Sequence, residues 1–183
     1  GITVFPYSET GLELGTKVRI TGYTDAYQGD IEIQVMSLEV LDAPKNVIEP
    51  EKVSNAESMN YGEKGGKLLQ VEGEVVDVIL TPDGRGVAQF VVKDGSGELA
   101  TVFIDGYIRS GTTGENTLAD IVKVGNTVSA VGLLYSHPKG RSADGEVVLR
   151  VRDCDEVVLI RSTLELEAAM EKAEKLNKKD YTK

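Results

Sequence analysis

The chain has 183 residues and a formal charge of −10, from 30 acidic and 20 basic residues; this excess opposes general attraction to phosphate backbones. With 40% hydrophobic residues, 20 glycines and 5 prolines, it has material for a packed core and for many tight turns. No apolar run approaches the roughly 20 residues a membrane-spanning helix needs, and the single cysteine, Cys154, excludes both an intrachain disulfide and a cysteine metal cluster.

In chain order, residues 1–7, containing Thr3-Val4-Phe5, read as a strand. Gly15 and Gly22 bracket a second, Val18-rich strand, and Ile31, Ile33 and Val35 alternate along a third. The same pattern returns further on. Gly15, Val18 and Gly22 fall on Gly125, Val128 and Gly132 at one constant offset. Thr101-Val102-Phe103 matches Thr3-Val4-Phe5, and Gly145, Val147, Leu149 and Val151 match Gly29, Ile31, Ile33 and Val35. The offsets differ only by loop length. Residues 44–66, with Pro44, Pro50 and Gly65-Gly66, read as a linker with one short helix around 51–59, either a flexible tether or docked on the second unit.

The second copy is longer. Strands over 67–80 and 86–93 are joined by Thr81-Pro82-Asp83-Gly84-Arg85, a hairpin loop by its chemistry. Asp94-Gly95-Ser96-Gly97 then turns the chain into a strand over 98–104. Gly73 suits a strand that bends round two sheets. The connection 105–124 has room for a short helix at 117–122. Five strands with a helix-bearing connection after the third are the plan of the OB barrel. The expectation is therefore a mainly β protein: residues 1–43 a partial OB-like unit keeping strands three to five, 44–66 the linker, 67–161 a complete OB-fold barrel, and 162–183 a C-terminal helix. That helix follows from Leu164, Leu166, Ala168, Ala169, Ala173 and Leu176 at helical spacing after the cap candidates Ser162 and Thr163. Its basic last turn, Lys175, Lys178 and Lys179, suits the helix dipole.

Leu69-Gln70-Val71-Glu72-Gly73-Glu74-Val75, Phe90-Val91-Val92-Lys93-Asp94-Gly95-Ser96-Gly97-Glu98-Leu99 and Val124-Gly125-Asn126-Thr127-Val128-Ser129-Ala130-Val131-Gly132 together resemble OB-fold nucleic-acid-binding modules. The first 41 residues resemble the end of the same module. Such modules look common in secreted multidomain Gram-positive proteins, beside nuclease or 5'-nucleotidase domains. The tail, Leu164-Glu165-Leu166-Glu167-Ala168-Ala169-Met170-Glu171-Lys172-Ala173, is similar to the opening of FIVAR-type cell-wall repeats. The resemblance implies an accessory segment of a larger secreted or wall-attached protein, with single-stranded nucleic acid or nucleotide as ligand. Gly1 is expected to follow a processing boundary, with the chain a fragment of a tandem array.

OB barrels bind single strands on their second and third strands through aromatics and basic residues. Phe90 and Phe103 lie among Val and Ala at core-like positions, where burial is favoured over base stacking. The ligand candidates are Tyr107 and Arg109 in the loop before Gly111, Tyr135, Lys139, Arg141, Arg150 and Arg152. Alternation sets Val147, Leu149 and Val151 on one face and Val148, Arg150 and Arg152 on the other. Those arginines are expected to pair with nearby acids such as Glu146, Asp153 or Asp155. Tyr23 and Tyr27 mark a comparable loop in the first unit.

No catalytic residues, metal or cofactor are expected. His137, the single histidine, sits between Ser136 and Pro138, where adjacent side chains do not form a nucleophile–base pair. The acidic turn at Asp94 lacks the ligand count of a loop that wraps Ca²⁺ by itself. Alternatives to nucleic-acid binding are a structural spacer, or a module that contacts protein or glycan. Further partners are other domains of the same polypeptide and, through the edges of the incomplete first unit, strands of another chain.

Overall fold

The computed structural model describes residues 1–5, 11–27, 30–106, 108, 111–113, 115–138, 145–165, 168 and 170–172. The first three strands, β1 (Thr3–Phe5), β2 (Val18–Tyr27) and β3 (Asp30–Val40), form one sheet in the order β1-β3-β2. β2 and β3 are antiparallel, whereas β1 runs parallel to β3. After them come β4 (Glu51–Lys52) and two one-turn helices, α1 (Asn55–Ser58) and α2 (Tyr61–Lys64). Ser54 starts α1 with a capping box: its hydroxyl accepts from the Glu57 backbone N–H, and the Glu57 carboxylate accepts from the Ser54 N–H.

Within the expected linker, residues 51–66 dock on the barrel. β4 adds to the barrel sheet in parallel register, Glu51 beside Leu69. Asn55 is 1% exposed, and its Nδ2 donates to the carbonyls of Val92 at 3.0 Å and Glu98 at 2.9 Å. A side chain that satisfies backbone groups of β6 and of the turn after it makes the helix part of the barrel.

The barrel is built from β5 (Leu68–Leu80), β6 (Val87–Lys93), β7 (Leu99–Ile104), then two short bridging strands, β8 (Thr112–Thr113) and β9 (Asn116–Thr117), the helix α3 (Leu118–Ile121), β10 (Thr127–Pro138) and β11 (Gly145–Val151). β5 pairs with β6, β6 with β7, β7 in parallel with β11, β11 with β10, and β10 back with β5. This closed 1-2-3-5-4-1 order, with the parallel contact between third and fifth strands, is the OB fold. β5 serves two neighbours by bending: Leu68 to Glu74 pair with β10, and Glu74 to Leu80 with β6. Gly73 sits at that handover, where a Cβ would lie 2.5 Å from the Lys93 carbonyl oxygen. Any side chain there would force the strands apart.

Alternation fills the interior. Phe90 and Val92 of β6, Val102 of β7, Val128 of β10 and Leu149 of β11 are all at most 1% exposed, and Leu118 and Ile121 of α3 join the same cluster. The short helix expected at 117–122 is thus present and inward-facing. A strand not expected from the sequence, β12 (Val157–Arg161), extends the sheet beside the first half of β10. Its run Val157-Val158-Leu159-Ile160 was the available signal.

Beyond β12, Ser162 opens the C-terminal helix. The Glu165 N–H donates to Ser162 Oγ at 3.2 Å, and the Ser162 N–H to Glu165 Oε2 at 3.1 Å. The Thr163 N–H donates to Asn126 Oδ1 at 3.0 Å, fastening the helix start to the turn before β10. Residues 163–165, 168 and 170–172 are helical; Lys175, Lys178 and Lys179 lie outside the described residues.

The glycines aligned in the sequence share physical roles. Gly15 (φ 82°) and Gly125 (φ 90°) both take the left-handed conformation in the turn before β2 and β10. At Gly22 a Cβ would lie 2.2 Å from the Gln34 carbonyl oxygen, and at Gly132 2.5 Å from that of Arg150. Both positions are close approaches of paired strands.

Candidate functional site

Because Val102 and Ile104 point into the barrel, Phe103 between them points out; because Leu149 and Val151 point in, Arg150 points out. Strand register then sets Leu133 of β10 opposite Arg150, Arg150 beside Phe103, and Phe103 opposite Gln89 of β6. One row of outward side chains thus crosses four strands. Phe90 is core, as its pattern indicated, but Phe103 is half-buried and outside the core cluster. Its expected burial is corrected by its phase, which is opposite to that of Ala100, Val102 and Ile104.

Arg150 is the centre of this row. Its guanidinium carbon lies 5.3 Å from the Tyr135 ring centroid, a cation–π contact, and Nη2 donates to Asp105 Oδ2 at 2.6 Å. The pair is only partly exposed, 30% for Arg150 and 22% for Asp105. The geometry presents a planar, positioned cation beside two aromatic rings, with part of its charge already answered by a carboxylate. Arg152, two residues on, is exposed and held by Glu156: Nε donates to Oε1 at 2.9 Å, and the Arg152 backbone N–H to Oε2 at 2.9 Å. Glu156 is fixed in turn by the capping box that Asp153 makes across the 3-10 turn Cys154–Glu156. The partners of the two arginines are thus Asp105 and Glu156, not the Glu146, Asp153 or Asp155 expected from proximity in sequence. β11 also departs from simple alternation, since Val148 is fully buried like Leu149.

Two clefts meet at Arg150. One, of about 340 Å³, runs between the first sheet and the barrel and is lined by Ile2, Tyr61, Gly66, Leu133, Tyr135 and Arg150, among others. The other, of about 290 Å³, is lined by Thr3, Asp105, Ile108, Leu133, Arg150 and Arg152, with Val151. These sizes suit a small planar group or one nucleotide rather than a large ligand.

Of the residues singled out from the sequence, Tyr135, Arg150 and Arg152 are brought to this region, and Tyr135 and Arg150 touch. Tyr107, Arg109, Lys139 and Arg141 lie outside the described residues, as do the side chains of His137 and Tyr27. Tyr23 is 54% exposed on β2 of the first sheet. Sequence reasoning missed Gln89, Leu133, Asp105 and Tyr61, whose common property is cross-strand or cross-unit position rather than residue type.

The acidic turn at Asp94 is structural. Asp94 Oδ1 accepts from the Ser96 hydroxyl at 2.6 Å and from the backbone N–H of Ser96 and Glu98, and Oδ2 accepts from the Asn55 N–H at 3.0 Å. The Ser96 hydroxyl and then the Asn55 amide hold this carboxyl below the usual range. Among the described residues no group of three His, Cys, Asp or Glu side chains is placed to hold a metal ion. No helix among them is long and apolar enough to cross a membrane.

No protein-family model matches the chain. None of the curated proteins matches it either. Among solved structures, asparaginyl-tRNA synthetase from Pyrococcus horikoshii, complexed with asparaginyl-adenylate, aligns over 62% of this chain and 23% of its own at 18% identity and a TM-score of 0.43. The chain therefore spans less than a quarter of that protein. The S. pombe Stn1–Ten1 complex aligns over 61% of this chain and 71% of its own at 19% identity and a TM-score of 0.34. The dimeric N-terminal domain of PriB from Thermoanaerobacter tencongensis aligns over 52% of this chain and 97% of its own at 16% identity and a TM-score of 0.32. At this level of likeness the fold assignment rests on the strand order of the chain itself.

Proposed function

We propose that the chain is a non-catalytic OB-fold binding module of a larger secreted or wall-attached bacterial protein, taking single-stranded nucleic acid or a nucleotide on the face around Arg150. The observation that carries the reading is the row Leu133, Arg150, Phe103, Gln89 with the Tyr135 ring against the guanidinium. It joins a stacking surface to a cation across the second to fifth barrel strands, where a base and its phosphate would be held together. The secreted, multidomain setting, with a FIVAR-like spacer after β12, is supported by sequence resemblance alone. The non-catalytic reading is supported by the sequence setting of the single histidine, His137, between Ser136 and Pro138, and by Cys154, whose thiol pKa burial pushes up, opposite to what a nucleophile requires.

A structural or protein- or glycan-contacting spacer is the second reading. It is favoured by the charge of −10 and by the ion pairs that occupy both Arg150 and Arg152. Fluorescence anisotropy with a labelled single-stranded DNA at low and moderate salt separates the two. The binding reading expects affinity that is greatest at low salt and falls about tenfold in Arg150→Ala, the effect of losing one charge-assisted contact of roughly 1.4 kcal/mol. Absence of binding at low salt by a folded protein assigns the chain to the spacer reading.

A further inference from the structure

The first sheet pairs as the closing strands of the barrel do. Val4 lies beside Ile33 in parallel register as Val102 lies beside Leu149. In the barrel the β5–β6 hairpin covers the outer edges of this three-strand arrangement, β6 on β7 and β5 on β10, and both Val102 and Leu149 are fully buried. In the first sheet, the corresponding edges of β1 and β2 have no partner strand among the described residues. Val18, Ile20, Ile33, Val35 and Leu38 supply the alternation of a core yet are only half-buried, and Val40 is 57% exposed. Among the described residues 1–50 only Glu32 is buried. It lies beside Thr3 in register, on the opposite face from Ile33, and accepts from the Gln34 side-chain amide. The sheet therefore buries a polar residue more completely than any residue of its apolar face, the reverse of a finished half-buried sheet.

We propose that this sheet is the open half of a second barrel, and that the β1 and β2 edges take up a two-stranded antiparallel hairpin entering β1 from its N-terminal side in the parent polypeptide. The chain already makes this interface once, with β5–β6 on β7, β11 and β10, and the matching register of the two sheets continues it. The hairpin belongs to the same polypeptide because β6 reaches β7 through the short turn at 94–98, which makes hairpin and third strand consecutive. The hairpin β5–β6 itself is held in its own barrel and does not serve twice.

Appending residues 67–98 of this chain ahead of Gly1 supplies a hairpin of the required pattern. Hydrogen exchange should then slow at least tenfold across β1, β2 and β3, with the protein monomeric by light scattering and binding less of an apolar dye. A synthetic peptide of residues 67–98, added to the intact chain, should give the same protection without altering the polypeptide. Ile33→Glu should cancel that protection while lowering the melt of the unappended chain far less than Leu149→Glu, which at the matching buried position should unfold the barrel. Unchanged exchange in the first sheet with both the appended and the added hairpin overturns the proposal. So does a dimer of the unappended chain in which β1–β3 are already protected, which would assign these edges to a second copy.

Discussion

Replacing Asn55 by alanine removes the amide that donates to the Val92 and Glu98 carbonyls but keeps the backbone N–H that donates to Asp94. The Glu98 carbonyl retains the Asp94 backbone N–H at 3.0 Å and Val92 stays paired with Ala100 in the β6–β7 ladder, so each carbonyl keeps a backbone partner and loses its side-chain donor. A net hydrogen bond is worth about 0.5–1.5 kcal/mol, and for the two lost together we expect about 2 kcal/mol in urea melts. For a chain of this length that lowers Tm by about 4–8 °C. The chain has no tryptophan, so far-UV circular dichroism is the suitable probe. Asn55→Asp, nearly the same shape, should cost more, because it turns a carboxylate toward two carbonyl oxygens and toward Asp94. A loss below about 0.5 kcal/mol for Asn55→Ala, the usual range of an unremarkable surface change, would refute the docking of α1. Residues 44–66 would then behave as a tether.

Gly132→Ala should destabilise the barrel by about 1–3 kcal/mol, since its Cβ would meet the Arg150 carbonyl oxygen; Gly95→Ala, which meets nothing within 4 Å, is the control, and equal melts for the two would count against the close approach. Asp105→Asn should release the Arg150 guanidinium and tighten single-stranded DNA binding about two- to fivefold at low salt, the scale of a partly exposed ion pair; weaker binding would show that Asp105 positions the arginine rather than competing for it. The folded-state pKa of Asp94 is depressed, so its contribution is present above its unfolded pKa of about 3.9 and is lost as pH falls through the lower folded value. Stability measured from pH 5 downward should therefore fall less steeply in Asp94→Asn than in the parent, and equal slopes would remove Asp94 from the acid response.

Local chemistry accounts for much of this protein. Left-handed turns demanded Gly15 and Gly125, close strand approaches demanded Gly22 and Gly132, and alternation marked Phe90, Val102 and Leu149 as interior. Each is legible because it depends on one residue's own backbone or on neighbours two positions away. The ligand face was legible only in part: Tyr135 and Arg150 stood out as residue types, but their contact depends on the antiparallel register of β10 with β11. Phe103 joins them only through the parallel pairing of β7 with β11, and Asp105 reaches Arg150 across a separation of 45 residues. The docking of Asn55 and the addition of β12 depend likewise on which surfaces the closed barrel leaves to be covered. The repeat shows the same division. Its two sheets align residue by residue in the amino-acid order, yet one has its apolar face enclosed and the other does not, because enclosure requires partner strands distant in the chain.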